Sequence, residues 1–109
     1  MDYIRIAKIN DFKNKHIKSF SLFGKKIGVV KRKDNSFYAI EISCKHQGAD
    51  LTAGKIDGTV ATCHRHQWKY DLETGKCLNH DSPDLKKYDI QLKGEDLWIS
   101  FLPLDEWFT

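Results

Sequence analysis

No run of apolar residues in this chain approaches the roughly 18 that a membrane-spanning helix needs. Nor does its start, Met1-Asp2-Tyr3-Ile4-Arg5, have the basic opening and apolar core of a secretion signal, and no twin-arginine pair precedes an apolar stretch. The expectation is a soluble, cytoplasmic protein. Glycine and proline are scarce, at seven and two residues, so no flexible linker or low-complexity tract interrupts the chain. There is no internal repeat. Three cysteines are too few, and an odd number, for a disulfide framework. The sequence has no G-x-G-x-x-G or P-loop to seat a nucleotide, and no credible nucleophile–base pair. Substrate chemistry by the chain itself is therefore not expected.

What is present fits one folded unit. The 109 residues are 40% hydrophobic and 30% charged, a balance that supports one core and argues against disorder, so residues 1–109 read as one domain. The net charge of +3 is unevenly spread. Residues 1–40 carry ten Lys/Arg against three Asp/Glu, and the remainder carries eight against twelve. A lysine-rich solvated face explains this, and a docking surface for an acidic partner is the sharper alternative. Lys25, Lys26, Lys31, Arg32 and Lys33 lie on hairpin-like strands with no nucleic-acid motif beside them, so nucleic acid is not expected as a partner.

The pattern is strand-like almost throughout. Tyr3–Ile9 alternates, Ile17–Phe23 ends at Gly24, and Lys26–Lys31 and Ser36–Ile42 flank the turn residues Lys33-Asp34-Asn35-Ser36. Asp57-Gly58 marks a hairpin within Lys55–Thr62. Trp68–Leu72 is a short strand closed by Glu73-Thr74-Gly75, and Tyr88–Leu92 with Leu97–Leu102 form a last hairpin. Only Ala7–Lys15 has a helical look, with room for one turn. Many short strands at close spacing predict an all-β fold.

Into this frame are set Cys44-Lys45-His46 and, after sixteen intervening residues, Cys63-His64-Arg65-His66. A C-x-H followed by a C-x-x-H offers one thiolate and one imidazole from each of two loops. Two sulfurs and two nitrogens are the ligand set of a Rieske [2Fe–2S] centre, in which His replaces Cys on one iron. Zinc also accepts two Cys and two His. The usual finger order, however, is Cys-Cys then His-His, and here the order alternates.

The flanks extend the match. The first loop runs Cys44-Lys45-His46-Gln47-Gly48-Ala49-Asp50-Leu51, and the second runs Cys63-His64-Arg65-His66-Gln67-Trp68-Lys69-Tyr70-Asp71-Leu72-Glu73-Thr74-Gly75. Over essentially its full length the sequence resembles a Rieske-type ferredoxin. The resemblance implies a β-sandwich of antiparallel sheets, with a cluster-binding subdomain formed by two hairpin loops at about 43–52 and 62–75. It implies one [2Fe–2S] cluster, with Cys44 and Cys63 on the inner iron and His46 and His66 on the outer one. Thiolates suit the buried metal and neutral imidazoles the exposed one. With two thiolates the oxidised core is formally neutral, and a neutral core accepts an electron more readily than an anionic one.

By the same resemblance, Trp68 stands where high-potential members place a sulfur-directed Ser, while Tyr70 retains the tuning Tyr position. Those members also carry a disulfide between the loops, and this chain has no spare cysteine pair there. The implied potential is in the lower part of the range of roughly −150 to +300 mV. Gln67 stands where Gly is common, which implies either an altered loop or a strained one. His64 reads as a surface residue near the cluster, His16 and His80 as uninvolved in metal binding, and Cys77 as a half-buried structural thiol. Trp107-Phe108 is expected to fold back onto the β body.

The implied function is one-electron transfer from a reductase to a terminal acceptor, often an oxygenase, by a protein that is a monomer when free. The alternatives are a small Rieske subunit of a redox enzyme, such as assimilatory nitrite reductase, and a zinc-binding module.

Overall fold

The computed structural model describes residues 2–45 and 48–107. It contains ten strands: β1 (Tyr3–Lys8), β2 (Ile17–Leu22), β3 (Lys25–Lys31), β4 (Phe37–Glu41), β5 (Lys55–Asp57), β6 (Val60–Thr62), β7 (Lys69–Asp71), β8 (Lys87–Tyr88), β9 (Ile90–Lys93) and β10 (Asp96–Ser100). Three short 3-10 turns complete the described elements, at Ile9–Phe12, Leu51–Ala53 and Leu104–Glu106. The single turn expected within Ala7–Lys15 is the first of these. Among the described residues, no helix is long and apolar enough to cross a membrane.

Among the described residues all strand pairings are antiparallel, and they form three sheets. The orders are β1-β10-β9, β2-β3-β4-β8 and β5-β6-β7. The all-β sandwich reading therefore holds. Two features were not legible in advance. β1 pairs with β10, joining the two ends of the chain. The segment read as one strand over Tyr88–Leu92 divides at Asp89, so that β8 pairs with β4 while β9 pairs with β10. Asp89, at the division, is tied to β10: its N–H donates to Ser100 Oγ, and its carbonyl accepts the Ser100 N–H at 3.0 Å.

The four-stranded sheet divides the interior into two cores, because strand residues alternate between its faces. Tyr38, Ile40 and Ile42 face a core shared with Cys44, Leu51, Ala61, Cys63, Tyr70 and Leu72. Ala39, with Ile27 and Val29 of β3, faces a second core shared with Phe12, Leu97 and Ile99. Burial of such side chains contributes about 1.5–3 kcal/mol each. The first core ties the four-stranded sheet to the small β5-β6-β7 sheet, which carries the second motif loop.

The Trp107 indole N–H donates to the Leu102 carbonyl, five residues earlier, at 3.1 Å. Phe108 lies outside the described residues.

Candidate metal-cluster site

Two loops leave the same buried core. The first leads from β4 and is closed by a bridge between Ser43 and Asp50. The second is the tip of the β6-β7 hairpin, where Thr62 pairs with Lys69. Each begins with a cysteine, and Cys44 and Cys63 are both only 2% exposed and belong to one buried cluster.

The backbone of the two loops follows one plan. The Cys44 N–H donates to Ala49 O at 2.8 Å, and the Gly48 N–H donates back to Cys44 O at 2.7 Å. Likewise, the Cys63 N–H donates to Trp68 O at 2.8 Å, and the Gln67 N–H donates to Cys63 O at 3.1 Å. In each case the residue four after the cysteine has a left-handed backbone, with φ +70° at Gly48 and φ +61° at Gln67. The loops are thus two versions of one turn, and the histidine sits two residues after the cysteine in the first and three after it in the second.

Gln67 resolves the choice the sequence left open. The glycine-type backbone is kept and a side chain is strained into it, at a cost of about 1 kcal/mol. Gln67→Gly is accordingly expected to stabilise the protein by about 1 kcal/mol, a rise of roughly 4 °C in Tm, with the cluster retained. An unchanged or lower melting temperature in a thermal scan would show that the strain is absorbed elsewhere.

His66 is exposed at the rim of the second loop while Cys63 behind it is buried. His46 lies outside the described residues. His64 is exposed, as expected of a surface neighbour. Cys77 is half-buried, bridged to Tyr70 by backbone pairing. The donor set fits a [2Fe–2S] group: two buried thiols, suited to an inner iron, and an exposed imidazole, suited to an outer one.

Tyr70, wholly buried, sits between the loops. Its hydroxyl accepts the Lys45 N–H at 3.2 Å and lies 3.3 Å from Ser82 Oγ. Burial pushes the Tyr70 hydroxyl above the usual tyrosine range, so it stays protonated and able to donate. Lys45 is held from its other end, where its ammonium lies 2.7 Å from Glu41 Oε1. The same Glu41 oxygen accepts the Lys86 N–H at 3.0 Å.

Trp68 is half-buried and stacks on His80, with ring centroids 4.4 Å apart and planes 15° from parallel. Distance along the chain had set His80 apart from the loops, and the fold brings it beside the second. The sequence reading also missed Asn79 and Gly54. Asn79 makes two hydrogen bonds to the second loop. Gly54, following the Leu51–Ala53 turn, lies against Thr62 and His64, where any Cβ would collide with the Thr62 carbonyl. An isolated Asn or Gly in a polar stretch gives no local signal of such contacts.

Known proteins share this architecture. The ferredoxin of carbazole 1,9a-dioxygenase from Nocardioides aromaticivorans superimposes with a TM-score of 0.77, at 24% identity, over 92% of this chain and 98% of that one. A candidate small subunit of an NADPH nitrite reductase gives a TM-score of 0.70 at 14% identity, over 92% and 99%. Among curated sequences, the oxidoreductase NdmD of Pseudomonas putida is 32% identical over 72 residues, which is 66% of this chain and 12% of that protein. Cholesterol 7-desaturase of Hemicentrotus pulcherrimus is 28% identical over 78 residues, 71% of this chain and 17% of that protein. The chain therefore spans less than a fifth of these curated relatives. The family model for the Rieske [2Fe-2S] domain matches residues 2–90, and the chain belongs to that family.

Proposed function

We propose that this chain holds one [2Fe–2S] cluster through Cys44, His46, Cys63 and His66, and that it carries single electrons between a reductase and a terminal acceptor of the oxygenase class. The observation that carries this reading is the pair of equivalent loops, each delivering a cysteine into one buried core. When bound, the cluster supplies one-electron redox chemistry.

The chain's residues define the rest. Cys44 and Cys63 keep the inner side of the site away from water, which limits hydrolytic loss. His66 stands at the surface, where its ring is the short route for an electron to a docked partner. Four protein donors would saturate the site, so no open position remains for substrate.

A carrier role is further supported by the likeness to a dioxygenase's ferredoxin over nearly all of that protein's length. The curated desaturase is matched over only a small part of its length, so the reading does not extend to its chemistry.

Redox-poised EPR on purified protein, with iron and sulfide analysis, tests the proposal. The expected result is a brown protein with about two irons and two acid-labile sulfides per chain. On reduction it should give a signal with nitrogen couplings from imidazole ligands. Colourless protein with one zinc would overturn the reading in favour of a zinc-binding module.

A further inference from the structure

The two cluster loops lack the cysteine pair that would let a disulfide join them. A third segment, Cys77 to Ser82, touches the second loop directly and reaches the first through Tyr70. The Leu78 N–H donates to the Lys69 carbonyl at 2.7 Å. Asn79 Oδ1 accepts the Lys69 N–H at 3.0 Å, and its Nδ2 donates to the Gln67 carbonyl, also at 3.0 Å. Only one orientation of the amide satisfies both partners, since one needs an acceptor and the other a donor. His80 covers the Trp68 ring. Ser82 meets the Tyr70 hydroxyl, which in turn takes the Lys45 N–H of the first loop.

We infer that this segment is a non-covalent clasp for the cluster loops, with Asn79 as a positioning residue that fixes the backbone immediately after His66. The amide spans the peptides on either side of Trp68. One of them carries Gln67, whose left-handed backbone is held in a conformation that a side-chain-bearing residue adopts only when its surroundings impose it. Losing the amide frees Gln67 to relax, and that relaxation turns the preceding peptide, on which the His66 imidazole is carried. Ser82 acts on the other loop through Tyr70. The inference rests on the cluster-binding reading given above, although its geometry is independent of which acceptor the protein serves.

The test uses holoprotein of the natural sequence, Asn79→Ala, Asn79→Asp and, as a control in the other core, Ile99→Val. The readouts are the EPR spectrum of the reduced cluster, the melting temperature and the rate at which visible absorbance bleaches with a chelator. Asn79→Ala is expected to bleach about tenfold faster and to shift the EPR g values, the usual consequence of removing a residue that orients a metal ligand. Asn79→Asp keeps the acceptor for Lys69 but turns a carboxylate oxygen toward the Gln67 carbonyl, so it should fall between. Ile99→Val should melt earlier yet bleach and resonate as the unmodified protein does.

Should Asn79→Ala fail to assemble a cluster, Asn79→Asp decides the matter by the same two readouts. A spectrum unchanged in g values, with bleaching within about twofold of the natural protein, overturns the clasp and leaves the electron-carrier reading standing. Natural protein with no iron–sulfur signal overturns both.

Discussion

Gly54→Ala is expected to cost about 3 kcal/mol and to give protein that does not retain its colour. The reason is a backbone contact. Gly54 has an ordinary φ of −95°, so conformational freedom is not what requires glycine there. What requires it is proximity: an added Cβ would collide with the Thr62 carbonyl and sit 3.1 Å from the His64 nitrogen. These are the residues on either side of Cys63. No side chain can rotate away to make room, because every atom met is main chain.

Relief requires the turn at Leu51–Ala53 to separate from the second loop, and that changes the spacing between the two loops that carry the proposed ligands. Gly94→Ala is the contrasting substitution. There an added Cβ meets nothing within 4 Å, and only the positive φ of +61° opposes it, at about 1 kcal/mol. Urea melts and visible absorbance of the two variants read out the difference. A brown Gly54→Ala protein with natural stability would show that the loops do not depend on this contact.

Tyr70→Phe is expected to lower the reduction potential by about 40 mV and to loosen the first loop. The Tyr70 hydroxyl accepts the Lys45 N–H and lies near Ser82 Oγ, which itself donates to the Pro83 carbonyl at 3.1 Å. Tyr70 thus holds the residue between Cys44 and His46, and its single proton goes to Ser82 Oγ, whose own hydrogen is given to Pro83, unless a cluster sulfur takes it instead. Donation to a cluster sulfur favours the more electron-rich, reduced state. A preference of about 1 kcal/mol corresponds to roughly 40 mV for one electron.

Without the hydroxyl, the Lys45 N–H also loses its partner, a penalty of about 1–3 kcal/mol where water cannot replace it. Potentiometry separates the two roles. A lower midpoint identifies the hydroxyl as a donor to the cluster. An unchanged midpoint with a lower melting temperature leaves it as an anchor for Lys45 alone.

Local patterns in the sequence carried a good deal of this. Alternation and turn chemistry located β2, β3 and β4, and the Asp57-Gly58 turn located the β5-β6 hairpin, because strand period and left-handed turns are properties of neighbouring residues. The spacing of Cys44 and Cys63 from their histidines marked the candidate site for the same reason. Gln67 was visible as a residue out of place, and its φ shows why: a glycine-type backbone is retained without glycine.

The residues that brace the site were not visible. Asn79, His80 and Ser82 lie ten or more residues beyond the loop positions they touch, and nothing about an Asn, a His or a Ser in a polar segment announces such a contact. The division of Tyr88–Leu92 into β8 and β9 was hidden as well, since period-2 alternation does not say which sheet a strand joins.

The order of side chains along the chain thus determined which elements form, where the turns fall and which thiols and imidazoles are candidates for a metal. Tertiary structure alone decided that β1 closes on β10, that both cysteines enter one buried core, and that the Cys77–Ser82 segment crosses back over the second loop. The physical reason is range. Backbone propensity and side-chain period act over a few residues, whereas close approach, shared burial and bridging hydrogen bonds exist only after distant segments have met.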